Sequence, residues 1–385
     1  MRSRELVAYV IAFTGPLAGN AVLALLGTLR DEWGVSSATI LLAIPAFMFP
    51  YAIGQLFSGT ISDAYDRRST MILGLGVYSL SNIAAALSPS FAFFIGTRLI
   101  QGLGYAFVQP VLMAVISDIA GPERQGLSMG YFGMSTSAGV TTGPLLAGFL
   151  AQADWRLTFL IIGFLALALI FAVALLFSKS LEAKKMVTLR TLGKQLALTV
   201  GNRNIALLSS AGFLAFFSQI GVMSFVSEHL GSADLNLNSV DIGIVLGVSG
   251  FLGLVTSPIS GKLVDVRGAR CCASVGFVIV GGASFLMQFG GEYWEFLVMM
   301  SAMGIGSSFM WASLLTMVVR AFPTLKGTSS SVFNSARFGG YAVSPLALTP
   351  IYLSIGFESI MLLCAVLIGI ALLLALSTDR VLSRR

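Results

Sequence analysis

Twelve mostly apolar runs, each of about 20 residues or more, are parted by short charged or turn-rich breaks, and they constrain this 385-residue chain more than any other feature. They cover residues 6–27, 38–62, 70–88, 91–117, 126–152, 156–178, 203–228, 239–266, 270–289, 294–319, 327–352 and 357–378. Runs of this length predict membrane-crossing helices, since a barrel strand needs only about ten residues and alternates in polarity. Composition agrees: 56% of residues are hydrophobic, 10% are charged and the mean hydropathy is +0.89, a balance that a water-soluble fold cannot hide. The 42 glycines suit helices that approach closely in lipid, and a single histidine argues against histidine-based metal chemistry, so neither metal nor cofactor is expected.

The cations divide unevenly among the breaks. Placing the N-terminus inside puts nineteen of the 23 Lys and Arg on the cytoplasmic side, leaves Arg30 and Arg156 outside, and keeps Arg98 and Arg337 within spans. Basic loops are retained in the cytoplasm, so both termini are expected there, in a multi-pass protein of the plasma membrane. The net charge of +6 follows from basic loops facing an anionic leaflet, and nucleic acid need not be invoked. Arg2 and Arg4 precede an uncleaved first helix in this reading rather than a signal peptide, and Cys271, Cys272 and Cys364 offer no paired extracellular framework.

The chain repeats itself. Gly59 with Asp63 is echoed by Gly261 with Asp265, Gly102 and Gly104 by Gly304 and Gly306, and Gly126 and Pro144 by Gly327 and Pro345, in order and at nearly constant offset. The expected division is a six-helix bundle over 1–178, a basic cytoplasmic linker over 179–202 and a second bundle over 203–385. The fold class expected is thus all-α integral membrane, twelve transmembrane helices in two pseudo-symmetric six-helix bundles, with a solute site between them.

Gly59-Thr60-Ile61-Ser62-Asp63-Ala64-Tyr65-Asp66-Arg67-Arg68 forms a tight polar corner between the second and third spans, and its carboxylates and guanidinium groups can pair with each other, with Arg124 or with a helix N-terminus. Here the chain resembles the major facilitator superfamily, whose signature loop has glycine, three residues, aspartate, then a glycine and two basic residues. Asp66 stands in place of that later glycine, whereas the second copy, Gly261 to Arg270, keeps it as Gly268. The resemblance implies two bundles rocking about a central site, with Gly59, Asp63, Arg67, Arg68, Asp118, Arg124, Gly261, Asp265 and Arg267 as gating residues. Arg98-Leu99-Ile100-Gln101-Gly102-Leu103-Gly104 matches the family's fourth-helix pattern. Gly139, Gly143, Pro144 and Gly148 are similar to the fifth-helix motif of its antiporters, especially twelve-helix drug exporters. The mechanism expected of that helix is close packing between the halves at the glycines and a bend at Pro144.

Arg98, Gln101, Tyr105 and Gln109 share one helix face, as do Ser330, Asn334, Arg337, Tyr341 and Ser344 on the eleventh span. Such faces must look away from lipid. No acid lies within a span interior, and the first span offers the neutral Asn20, so the deep charges are cationic. Arg337, near the middle of its span, is expected to draw in an anionic or hydrogen-bond-accepting solute, or else to tether helices. Asn20, Arg98, Gln101, Tyr105, Gln109, Asn334, Arg337 and Tyr341 are the candidate solute-binding residues. Glu228, beside His229, and Asp241 are the nearest groups able to titrate, and they fall at the outer mouth. No phosphate loop of the form G-x-x-x-x-G-K-[ST] and no clustered nucleophile, base and acid are present, so neither ATP drive within the chain nor catalysis is expected. The function implied is a secondary transporter, monomeric, exporting a small drug-like or metabolic solute on an ion gradient, with H+ the candidate ion. Uptake or facilitated diffusion of an organic anion is the alternative, and a non-transporting membrane sensor ranks behind both.

Overall fold

Inside lipid no water is available to backbone N–H and C=O groups, so each segment must satisfy its own, and the helix is the form that does so. The computed structural model describes residues 3–64, 66–120, 125–177, 189–232, 235, 237–322 and 325–379. Fifteen helices run through these residues: α1 (Ser3–Ala24), α2 (Leu26–Trp33), α3 (Ser37–Ile40), α4 (Ala43–Ala64), α5 (Arg67–Ala86), α6 (Phe91–Ala120), α7 (Gln125–Ala151), α8 (Arg156–Leu176), α9 (Leu189–Val200), α10 (Arg203–Leu230), α11 (Ser239–Arg267), α12 (Ala269–Met287), α13 (Tyr293–Ala321), α14 (Lys326–Ile355) and α15 (Phe357–Leu376). Eleven spans are long and apolar enough to cross a membrane. The twelfth long helix, α7, is diluted by Gly, Ser and Thr and packs between α1 and α11. Twelve crossings put Ser3 and Asp379 on one face, called here the terminal face; the other is the far face.

Polarity is turned inside out relative to a soluble protein. Arg98 is fully buried, while Leu175 on α8 is 84% exposed and Leu73, Leu80 and Leu87 along α5 and its end face outward. That distribution suits a lipid surround, in which apolar surface is free to face outward and polar groups are not. Helix starts carry their own acceptors. Asn202 accepts from the N–H groups of Asn204 and Ile205, and Asn238 from those of Val240 and Asp241, covering donors that have no partner within the helix.

The repeat seen in the sequence is a repeat of helix crossings. A Cβ placed on Gly102 of α6 would lie 2.0 Å from the Phe47 carbonyl oxygen of α4, and one on Gly304 of α13 would lie 2.0 Å from the Ser249 carbonyl oxygen of α11. Gly104 meets the carbonyl oxygen of Gly74 on α5 just as Gly306 meets that of Gly276 on α12. In each case the second pair is numbered 202 higher than the first. The α1 with α7 crossing recurs as α10 with α14, where Gly139 against the Phe13 carbonyl is matched by Gly340 against that of Phe213. The two bundles meet along α7 with α11 and α4 with α14.

The signature corner is built differently in its two copies. Gly268 has φ +87°, a left-handed conformation that strains any side chain, and it turns the chain from α11 directly into α12. Asp66 instead has φ −60° and ψ 122° and caps α5, its carboxylate accepting from the Ser69 N–H at 2.9 Å and the Ser69 hydroxyl at 2.7 Å. An aspartate at the glycine position thus exchanges backbone freedom for an N-cap.

Candidate functional site

The polar face of α6 is consumed within the first bundle. Arg98 donates from Nε to the Ala43 carbonyl of α4 at 3.1 Å, and from Nη1 to the Ala18 carbonyl of α1 at 3.2 Å and to Gln101 Oε1 at 2.8 Å; its guanidinium carbon lies 4.6 Å from the Phe47 ring centre. Gln101 donates in turn to the Ser81 carbonyl at 3.3 Å. The Tyr105 hydroxyl reaches the Ile11 and Ala12 carbonyls at 3.2 Å each, its ring filling the space beside Gly15. Asn20 donates to the Pro16 carbonyl of its own helix at 2.9 Å. Gln109 accepts from Gln55 Nε2 at 3.0 Å, joining α6 to α4. These residues tie α1, α4, α5 and α6 to one another.

Arg337 on α14 stands in the opposite condition. Its guanidinium carbon lies 4.1 Å from the ring centres of both Trp311 on α13 and Phe338, and 4.9 Å from that of Phe216 on α10. Among the described residues it has no hydrogen-bond acceptor and no carboxylate partner, and Nε is buried without one. Aromatic faces offset part of the cost of desolvating a cation, about 2 kcal/mol or more, but they supply no lone pairs. Tyr341 closes the cluster, its ring centre 5.5 Å from Phe216 and edge-on to it. Asn334 lies one turn away on the same helix with a buried Oδ1 lacking a donor, and Gln219 Oε1 on α10 is in the same state. The first bundle reaches this cluster through Tyr51 of α4, whose ring centre is 4.4 Å from that of Phe338, and through the Ala52 carbonyl, which accepts from the Ser335 hydroxyl at 2.9 Å. Trp311, Phe216, Phe338 and Tyr51 were not distinguishable in the sequence, because ordinary lipid-facing and core aromatics share their local patterns; adjacency of Phe338 to Arg337 was the single hint.

Of the gating residues, Arg124 lies outside the described residues, as do the side chains of Gly59, Asp63 and Asp118. Arg68 donates to the Ala174 carbonyl near the end of α8 at 2.6 Å, and Arg270, its counterpart, donates to the Thr378 carbonyl beyond α15. Each corner is therefore tied to the last helix of its own bundle. Gly261 is partly exposed, Asp265 and Arg267 are exposed, and Arg67 is half-buried. The expectation for α7 needs correcting: Gly139 and Gly143 receive the backbone of α1 within the same bundle, with a Cβ at Gly143 falling 2.5 Å from the Leu17 carbonyl oxygen. The glycine spacing that fixes one helix face fixes which partner it meets only once the bundle is assembled. The approach between bundles is made instead by Gly148 against the Ser239 carbonyl and by Gly243 against the Pro144 carbonyl.

At the far face the bundles are joined by polar contacts. Glu228, in the last turn of α10 and 3% exposed, accepts from Arg30 Nη1 of α2 at 2.7 Å and from the Ser37 hydroxyl at the start of α3. The Ser227 hydroxyl donates to the Leu23 carbonyl of α1, and the Thr28 and Ser239 hydroxyls lie 2.7 Å apart. Burial alone would lower the Arg30 guanidinium, but the Glu228 and Asp31 carboxylates outweigh it and hold Arg30 above its ordinary pKa, so it stays charged.

The sequence pattern of the Major Facilitator Superfamily matches residues 8–205 and 205–385, nearly the whole chain. An MFS-type transporter of Mycobacterium tuberculosis is 23% identical over 86% of this chain and 67% of its own length. Multidrug resistance protein 2 of Bacillus subtilis is 26% identical over 61% of this chain and 60% of its own. The crystal structure of the human organic anion transporter MFSD10 (TETRAN) superimposes with a TM-score of 0.77 at 19% identity, covering 97% of this chain and all of that one. With twelve long helices in two repeated bundles and a pattern match from end to end, the chain is a multi-pass membrane protein that belongs to the major facilitator superfamily of transporters.

Proposed function

We propose that this protein exports a small organic solute carrying an anionic or strongly hydrogen-bond-accepting group, by alternating access across the plasma membrane with both termini in the cytoplasm. The observation that carries the reading is Arg337: a guanidinium deep between helices, framed by Trp311, Phe216 and Phe338, with no acceptor among the described residues. A ligand that brings both an acceptor and an apolar or aromatic body answers what that site lacks, and Asn334, Gln219 and Tyr341 stand close enough in the fold to orient it. Arg98 takes a positioning role in this reading, since its bonds hold α1 and α4 against α6. The basic breaks on the terminal face support its placement in the cytoplasm. Export is supported by the antiporter-like α7 and by the likeness to Multidrug resistance protein 2, and an organic anion as cargo by the likeness of fold to a human organic anion transporter. The drive is an ion gradient, protons first, and the working unit a monomer.

The test is accumulation of a panel of aromatic carboxylates and sulfonates in intact cells. Expression is expected to lower accumulation of at least one member, and Arg337→Gln to abolish that effect. Hydrogen bonds to a charged group are worth about 1.5–3 kcal/mol, so affinity should fall by roughly tenfold to a hundredfold. Accumulation that rises on expression would reverse the direction, and an Arg337→Gln protein that transports as the wild type does would remove the anion site.

A further inference from the structure

The far-face junction has a component the central site does not use. We propose that Glu228 is a proton-binding site that controls the far-face closure, so that acid on that side releases the two bundles from each other.

Four observations converge on it. Glu228 is a buried carboxylate whose partners Arg30 and Ser37 both belong to the connection between α1 and α4, so among the described residues its hydrogen bonds run from one bundle to the other. Its Oε1 carries both of these bonds, whereas Oε2 is buried with no donor, leaving one oxygen positioned to carry a proton without displacing an existing bond. The neighbouring contacts, Ser227 to the Leu23 carbonyl and Thr28 with Ser239, are between neutral groups, which leaves the Arg30 to Glu228 pair as the ion pair between the bundles at this junction among the described residues. Finally, Arg30 holds a second carboxylate, Asp31 at 3.2 Å and 75% exposed, to which it can turn once Glu228 is neutral.

The direction follows from linkage. Protonation removes the charge opposite Arg30, so the protonated chain holds its bundles together less firmly, and a proton that binds the separated state better must shift the population toward separation. In the separated state water reaches the junction and solvates Arg30; in the closed state the carboxylate does so. Other groups on elements packed against this end of α10 are Asp31 and Glu32 on α2, with Glu32 paired to Arg156 at 2.9 Å, Asp241 on α11, Tyr293 and Glu295 on α13, Tyr352 on α14 and Glu358 on α15. On α10 itself, His229 stacks on Phe357 with ring centres 4.1 Å apart. His229 is the other group on this helix able to take up a proton and is the rival to exclude.

The full chain is reconstituted in nanodiscs with Cys271, Cys272 and Cys364 replaced and spin labels at Gln152→Cys and Ser354→Cys, exposed positions at the far ends of α7 and α14. Distances are read by pulsed electron resonance from about pH 8 to about pH 3, a range that extends on both sides of the ordinary values of histidine (about 6.5) and glutamate (about 4.3). The expected result is a reversible lengthening on acidification, retained in His229→Gln and lost in Glu228→Gln, which should show the long distance throughout. Arg30→Gln should also show it at every pH, and the exchanged pair Arg30→Glu with Glu228→Arg should restore the short distance at neutral pH. A wild-type distance that does not move with pH overturns the proposal even if no variant folds, and a shift that survives in Glu228→Gln or disappears in His229→Gln overturns it as well. No solute enters the measurement, so its outcome is independent of whether Arg337 binds an anion.

Discussion

Two arginines set among helices stand in opposite surroundings. Arg98 spends its donors on carbonyls of α1 and α4 and on Gln101, leaving Nη2 without a partner, whereas Arg337 has aromatic faces and no acceptor among the described residues. The difference predicts different failures. Arg98→Ala should lower the thermal stability of the detergent-solubilised protein by several kcal/mol, since bonds to a charged donor contribute about 1.5–3 kcal/mol each, and it should do so whatever solute is present. Arg98→Lys should recover part of this, because an ammonium cannot reach three acceptors in the fork that a guanidinium spans. Arg337→Gln should leave the melting temperature nearly unchanged while removing any stabilisation by an anionic solute. Equal losses of stability from both would erase the distinction.

At the level of the helix, glycine is a matter of which neighbour it faces. On α7, Gly143 lies against the Leu17 carbonyl of α1, whereas a Cβ on Gly133 meets nothing within 4 Å. Gly143→Ala should therefore destabilise by about 1–3 kcal/mol through overpacking. Gly133→Ala should be neutral or stabilising by up to about 1 kcal/mol through helix propensity. Thermal unfolding of the two single variants compares them directly; a harmless Gly143→Ala would mean that α1 and α7 lie farther apart than described. The same logic separates the two corners, where Gly268 turns on a positive φ and Asp66 caps a helix, so alanine at the two positions should fail for unrelated reasons.

For the molecule as a whole, rocking requires that one junction open for the other to close. Thr28 and Ser239 face each other across the far face with hydroxyls 2.7 Å apart. A Thr28→Cys, Ser239→Cys pair in a background without the native cysteines should form a disulfide that holds the bundles together. Turnover should vanish on oxidation and return on reduction, while solute binding from the terminal face persists; full turnover with the disulfide intact would refute alternating access about this junction. Much of this architecture was legible beforehand. The apolar runs correspond to the twelve long helices, though not to the short α2, α3 and α9, and the spacing of Gly102, Gly104 and their counterparts announced crossings that recur 202 residues later. The candidate site was legible in part: Arg337 and its stripe stood out as charge and amide in an apolar run, but the rings around it did not.

What the sequence by itself determined are the properties that arise from neighbours along the chain: length of apolar run, charge of the breaks, the face a residue shares with others three and four positions away, and the duplication. Tertiary structure alone decided that Arg98 meets the carbonyls of α1 and α4, that Gly139 and Gly143 face α1 rather than the other bundle, that Trp311 and Phe216 frame Arg337, and that Glu228 meets Arg30 across 198 positions of sequence. The reason is physical: helix formation is governed by local spacing, whereas the partner of a buried polar group is whichever remote carbonyl, ring or carboxylate the packing of twelve helices brings within about 3–5 Å.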